Sequence, residues 1–452
     1  MKKFDLIVLG AGPSGGTVAM TCAKAGKKVA LIESREFGGT CALRGCNPKK
    51  VFVHAAEVID AARSGDGKLC DAGLIKINWS QLVKFKETFV ENIPKNSREK
   101  FDDAGIATYL GSPKFVAENQ LEINDEIIEA KKFLLAVGGR PSRLDIPGEE
   151  HVTLSDQFMN LEELPPRVAF VGGGYISMEF AHVARRAGSE VTVLDRGERI
   201  LKQFDTTIVK HVENHAQSIG IDLIKSVKLN AVSKDSSGEL QVVFEQDGKI
   251  HSLDCDLVVH GAGRTPNLDG LNLDSANIAF EAKNGIEVDE ALRSVSNHRV
   301  FAAGDCAATG MPRLTTTAEL EGDAIAESML NSSEKIVPQY GPIAKTVFTV
   351  PSIAMVGLTE DTAKKQSLNV RVEYKDLSDS GSLRKVGQAH GAYKILIDKD
   401  TDQIVGAHLF GPAASETINV FTVAIAAGMP AQNLKSTLLA FPTFSYMIRS
   451  MV

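Results

Sequence analysis

Two cysteines five residues apart, Cys41 and Cys46, stand in the run Gly-Thr-Cys-Ala-Leu-Arg-Gly-Cys-Asn-Pro-Lys-Lys at 39–50. Paired thiols can store two electrons by closing and reopening a disulfide. The spacing is awkward for that chemistry in a regular helix, where residues i and i+5 lie about 7.5 Å apart along the axis and on different faces. A disulfide wants Cα atoms within about 7 Å, so bonding needs an irregular turn. Gly45 allows one, and Pro48 suits the first turn of a helix that follows. The alternatives are a zinc half-site or two buried thiols. Zinc wants further Cys or His ligands at short spacing, and the nearest histidine, His54, is one or two turns into that helix. Redox activity is the favoured reading. Cys22, Cys70, Cys255 and Cys306 are scattered and read as packing residues.

The thiols lie between two phosphate-binding turns. The apolar run 4–9 leads into Gly10, Gly12, Pro13, Ser14 and Gly15, a Gly-x-Gly-x-x-Gly turn that opens a helix over 17–24. A second strand over 28–32 ends at Glu33, 23 residues after Gly10. Glycines there let the backbone bend and approach a pyrophosphate at the helix N-terminus, and an acid about 20 residues on can hold ribose hydroxyls. The unit repeats with a strand over 167–171, the turn Gly172-Gly173-Gly174-Tyr175-Ile176-Ser177, a helix over 178–187 and a strand ending at Asp195. Ser177 takes the third glycine position and is small enough for close packing. Asp195 suits the free 2′-hydroxyl of NADH, whereas Arg196 and Lys202 suit the 2′-phosphate of NADPH. Two cations and the non-glycine third position tip the balance to NADPH.

These elements demand a doubly covered parallel sheet, twice. The chain has 452 residues, too many for one core. The expected architecture is α/β: two Rossmann-like nucleotide domains plus an α+β C-terminal dimerisation domain. The expected ranges are 1–150 and 271–337 for the first nucleotide domain, 151–270 for the second and 338–452 for the last. The net charge of −7 argues against nucleic acid or an anionic membrane as partner. No apolar stretch is long enough to span a bilayer. Met1-Lys2-Lys3 before an apolar run superficially suggests a signal peptide, but Asp5 interrupts it and no cleavage site follows. A cytoplasmic protein is expected.

The motifs together resemble the class I pyridine nucleotide–disulfide oxidoreductases, the group of glutathione reductase, dihydrolipoamide dehydrogenase and mercuric reductase. The similarity rests on Gly38-Gly39-Thr40-Cys41 through Lys50, on Gly174 to Glu179, and on the Gly263–Asn267 turn. It extends to 300–305 with Leu314-Thr315, and to the 347–351 opening of the last domain. The resemblance implies FAD in the first cradle, with Asp305 on its ribityl chain and with Thr40, Gly138, Gly263 and Thr315 among the cofactor-binding residues. It implies the nicotinamide cofactor in the second cradle, covered by Tyr175 until it binds. Cys46 would face the flavin and Cys41 the substrate, with a Lys50–Glu179 pair at the flavin. A homodimer and a small-molecule electron acceptor are implied as well.

One segment departs. The family's His-Pro-Thr-x-Ser-Glu, whose histidine crosses the dimer as acid–base and is oriented by the glutamate, here reads Phe441-Pro442-Thr443-Phe444-Ser445-Tyr446. Mercuric reductase also carries Phe-Pro there, but with a C-terminal cysteine pair; this sequence has no cysteine after Cys306. Poor turnover of glutathione disulfide or lipoamide is expected. The reading is an FAD-dependent NAD(P)H oxidoreductase with a redox-active Cys41–Cys46 disulfide. Its rivals are a diaphorase-like quinone or metal-ion reductase and a non-catalytic redox-sensing flavoprotein.

Overall fold

Buried strands dictate the architecture. In the strand Lys2–Leu9 the residues Leu6, Ile7, Val8 and Leu9 are all buried, so both faces of its sheet are covered. A computed structural model describes residues 1–331 and 335–452. They form two compact units, one of Met1–Lys49, Phe85–Ser142 and Gly263–Tyr340, the other of Lys50–Lys84, Arg143–Ala262 and Gly341–Val452.

The first unit is built on a seven-stranded sheet. Lys2–Leu9 pairs in parallel with Val29–Glu33 and with Glu126–Leu135, and Val300–Ala302 returns to pair in parallel with Glu126–Leu135. Pro13 opens the helix Pro13–Lys24 at its first turn, where its missing N–H costs nothing. That helix packs closely on Thr315–Leu330, because Gly322 has no side chain: a Cβ there would lie 2.9 Å from Ser14 Cα.

The second unit holds a four-stranded parallel sheet ordered Ile221–Lys225, Glu190–Asp195, Arg167–Val171, Leu257–His260. Gly188, at φ +117°, ends the helix Tyr175–Ala187 in the left-handed conformation that glycine adopts freely. A five-stranded antiparallel sheet, from Lys345–Val347 to Val370–Asp376, is backed by the helix Ala414–Ala426. The expected α/β class with a C-terminal α+β part is present. Residues 50–84 fall in the second of these units. Phe52 stacks on Trp79 with ring centroids 5.3 Å apart, and both join a core with Phe158 and Phe170. Among the described residues no helix is long and apolar enough to cross a membrane.

Candidate active site

The turn that the cysteine spacing requires is present. The helix Gly39–Arg44 stops at Gly45, and a new helix, Cys46–Gly65, begins at the second thiol. A Cβ on Gly45 would lie 2.9 Å from Thr40 O, so the break depends on glycine for space. Pro48 sits in the first turn of the new helix. Both thiols are free here, Cys41 half-buried and Cys46 exposed.

Thr315, the first residue of the helix Thr315–Leu330, converges on the same sulfurs. Its hydroxyl donates to Cys41 Sγ at 3.3 Å and lies 3.9 Å from Cys46 Sγ. The Cys41 thiol is lowered to about 6, first by its hydrogen bond with Cys46 and then by Thr315, against the effect of burial. Cys46 moves the other way, because it keeps the shared proton and is partly desolvated. Cys41 is therefore the thiolate at neutral pH, and its reactivity fades as pH falls through about 6. Replacing Thr315 with valine removes one donor to that sulfur. The midpoint of Cys41 alkylation in the reduced protein should then rise by about one unit. Iodoacetamide rates measured across pH 5–9 would show it, and an unmoved midpoint would mean that Thr315 does not hold the thiolate.

The first cradle has the shape a pyrophosphate needs. Gly10, at φ +101°, turns where any Cβ would run into Ala136 O, and a Cβ on Gly15 would run into Gly10 O. Gly12 has nothing within 4 Å of its Cβ position, leaving its outer face open. Glu33 is buried and braces the turn: one carboxylate oxygen accepts from Ala11 N–H at 2.9 Å, the other from Ser34 and Arg35 N–H. Gly138, at φ +67°, is likewise open, and Gly139 abuts Asp305, whose Oδ2 would lie 2.9 Å from a Cβ there. Burial pushes the Asp305 carboxyl up, against the nearby guanidiniums of Arg264 and Arg313. Gly263 turns at φ +116° just before the strand Arg264–Pro266, which pairs with Gly139–Pro141. Open glycines, a braced acid and a half-buried carboxyl in one unit fit FAD.

The second cradle repeats the design. Gly172 turns at φ +96° beside Ala262, and Gly174 caps the helix that Tyr175 begins. Ser177 replaces a glycine because its neighbour is one: a Cβ on Gly261 would collide with Ser177 Oγ. Ile176 is half-buried behind the turn. Asp195 is buried against Gly173, while Arg196 and Lys202 are exposed, Lys202 alongside Gly197.

Lys50 and Glu179 both lie beside Phe348. Lys50 Nζ lies 3.3 Å from Glu57 Oε1 and 4.1 Å from the centre of the Phe348 ring. Glu179 is buried and accepts from Phe348 N–H at 2.9 Å. Both residues therefore meet Phe348, and Lys50 also reaches Glu57, two turns along its own helix. Glu57 also holds His54 Nδ1 at 3.2 Å.

The divergent C-terminal segment keeps its frame and loses its titrating groups. Thr443 donates to Ala440 O and accepts from Tyr446 N–H. Phe441 is 72% exposed and meets Tyr446 edge-on, centroids 4.9 Å apart. Tyr446 OH accepts from Arg449 at 3.3 Å. No three His, Cys, Asp or Glu side chains among the described residues are grouped to hold a metal ion.

Residues 4–322 match the family described as pyridine nucleotide-disulphide oxidoreductase, and residues 343–452 match its dimerisation domain. The chain is 30% identical over 443 residues to a glutathione reductase of Burkholderia cepacia, covering 98% of this chain and 97% of that one. It is 30% identical to a mercuric reductase of Bacillus cereus, covering 98% of this chain and 70% of the relative. A solved structure, the Cu(II) complex of the HOCl-induced flavoprotein disulfide reductase RclA from Escherichia coli, superimposes with a TM-score of 0.89. That match has 25% identity and covers 100% of this chain and 99% of the other. Two nucleotide cradles, a thiol pair set across a broken helix and these matches agree: the chain belongs to the pyridine nucleotide-disulphide oxidoreductases, as an FAD-dependent NAD(P)H oxidoreductase with Cys41–Cys46 as its redox-active pair.

Proposed function

We propose that the protein passes electrons from NADPH to a soft metal ion, with Cu(II) as the acceptor class, through the Cys41–Cys46 pair. The observation that carries this reading is Phe441 and Tyr446 where disulfide reduction would need a proton donor. A disulfide acceptor leaves a thiolate that must be protonated; a metal ion accepts an electron with no proton at all. Thiolates are soft ligands that favour Cu(I), and the acidic Cys41 presents one at neutral pH. The Cu(II) complex of the RclA relative and the mercuric reductase relatives support the same class.

Bound FAD would supply hydride acceptance from the nicotinamide and two-electron delivery to the thiol pair. The residues do the rest. Gly10, Gly12, Pro13, Ser14, Gly15 and Glu33 hold and orient the dinucleotide, with Asp305, Thr40, Gly138, Gly263 and Thr315. Gly172, Gly174, Tyr175, Ile176 and Asp195 hold the coenzyme. Lys50 and Glu179, set about Phe348, would orient the flavin side. Cys41 is the exit thiol and Cys46 its partner: the reduced pair, Cys41 as thiolate and Cys46 as thiol, gives two electrons to two Cu(II), closing the disulfide and releasing the Cys46 proton. The match to the dimerisation domain supports a homodimer as the working unit.

An anaerobic assay with NADPH and Cu(II), trapping Cu(I) with bathocuproine, should give two Cu(I) per NADPH. Faster turnover of glutathione disulfide than of Cu(II) would overturn the reading. Arg196, exposed at the end of the strand Glu190–Asp195, is proposed to bind the 2′-phosphate of NADPH. The R196Q variant should lose about tenfold in kcat/KM for NADPH and keep that for NADH within about twofold. Equal losses with both coenzymes would remove Arg196 from coenzyme choice.

A further inference from the structure

A buried carboxylate outside the motifs read from the sequence sits against the Gly304–Asp305 turn. Glu321, on the helix Thr315–Leu330, is 1% exposed. Its Oε2 accepts from Gly304 N–H at 2.6 Å and its Oε1 accepts from the Tyr340 hydroxyl at 2.8 Å. Gly304 immediately precedes Asp305 and adopts φ +69°, a conformation open to glycine without steric cost. The position next to Glu321, Gly322, presses on Ser14 of the first cradle. The same helix begins at Thr315, which holds Cys41.

A buried charged group without partners would be costly, and here both oxygens are satisfied. Burial pushes the Glu321 carboxyl up, against the Gly304 N–H and the Tyr340 hydroxyl, and the neighbouring Asp305 charge pushes it further. A side chain held in such company is set for geometry and not for proton exchange with solvent.

We infer that Glu321, braced by Tyr340, is a positioning residue that fixes the Gly304–Asp305 turn so that Asp305 meets the ribityl chain of FAD. It acts through Asp305 and touches no acceptor, so it stands or falls apart from the choice of Cu(II). The mechanism predicts which variants matter. Alanine at 321 frees the Gly304 N–H and the turn. Glutamine keeps an oxygen for that N–H, and its amide can donate to a rotated Tyr340 hydroxyl.

The test is the FAD dissociation constant of the holoenzyme, read from the rise in flavin fluorescence on dilution. E321A should weaken FAD by about tenfold or more, whereas E321Q should stay within about threefold. D305N should weaken FAD as well, and adding E321A to it should cost less than about twofold more, since the turn then aims nothing. An unchanged constant in E321A, or losses that simply multiply in the double variant, would overturn the inference. Should E321A fail to fold, Y340F removes a single oxygen and serves in its place. It is expected to cost about threefold alone and to add nothing measurable on top of D305N; a multiplying loss there is equally fatal.

Discussion

Replacing Cys41 with serine should cut Cu(II) and disulfide turnover by about 10³-fold or more, the scale of losing a nucleophile that nothing else replaces. NADPH should still reduce the flavin, and quinones or dyes, which need only the flavin, should still be reduced at close to the original rate. The substitution is mild in space: serine is smaller than cysteine, and the Thr315 hydroxyl, 3.3 Å from the sulfur, can still bond to an alcohol. What disappears is the acidic thiolate. Cys46 also loses the neighbour that holds its own proton, so its pKa should fall back towards the ordinary thiol range. The C46A variant offers the converse: Cys41 loses the hydrogen bond that contributes most to its acidity and should titrate higher than about 6. Stopped-flow reduction by NADPH, followed by acceptor assays on the same samples, separates the outcomes. If C41S reduces Cu(II) as well as the native protein does, the thiols are not the exit point. The diaphorase-like rival, with cysteines that only tune the flavin, would then be the better account.

The parts of the site that were readable in the sequence are those whose chemistry is local. Gly10, Gly12 and Gly15 lie within one turn, and each is a glycine for a steric reason the structure repeats. Gly45 was readable because a five-residue thiol spacing cannot close on a straight helix. Ser177 was readable as a small residue, but its tolerance comes from Gly261, on another element, and nothing in the second fingerprint shows that. The contact of Lys50 with Glu57, 3.3 Å away on the same helix, is not legible from the family likeness, which points to Glu179. The contact between Thr315 and Cys41 spans 274 positions and leaves no trace in spacing. Glu321 lies in Ala-Glu-Leu-Glu-Gly-Asp, which reads as a solvated helix face; only the packing of Gly322 on Ser14 turns that face inward. The apolar partners of Phe52 and Trp79, Phe158 and Phe170, lie about 80 to 120 positions on and are not legible from local pattern.

Restoring the family's acid–base pair should move the acceptor preference. The double variant F441H/Y446E should raise turnover of glutathione disulfide or lipoamide by about 10²–10⁴-fold, the usual worth of a positioned proton donor. The scaffold is ready for it. Thr443 already ties the segment to Ala440 and Tyr446, and the Phe441 ring is largely exposed, so its replacement gives up little beyond an edge contact worth about 0.5–1.5 kcal/mol. Cu(II) reduction needs no proton and should stay within about twofold of the native rate if proton transfer is all that changed. The pH dependence carries the sharper signature. Disulfide attack requires Cys41 deprotonated, so activity should climb as pH rises through about 6. The new histidine must arrive protonated to discharge the leaving thiolate, so activity should fall again above its ordinary value near 6.5. A narrow bell should therefore appear in the variant and be absent from the native protein, whose only limb is the thiol. Native turnover of either disulfide at the rates typical of enzymes with the His–Glu pair would refute the premise at once. A folded, flavin-loaded variant with no gain would show that something other than the missing acid keeps disulfides out.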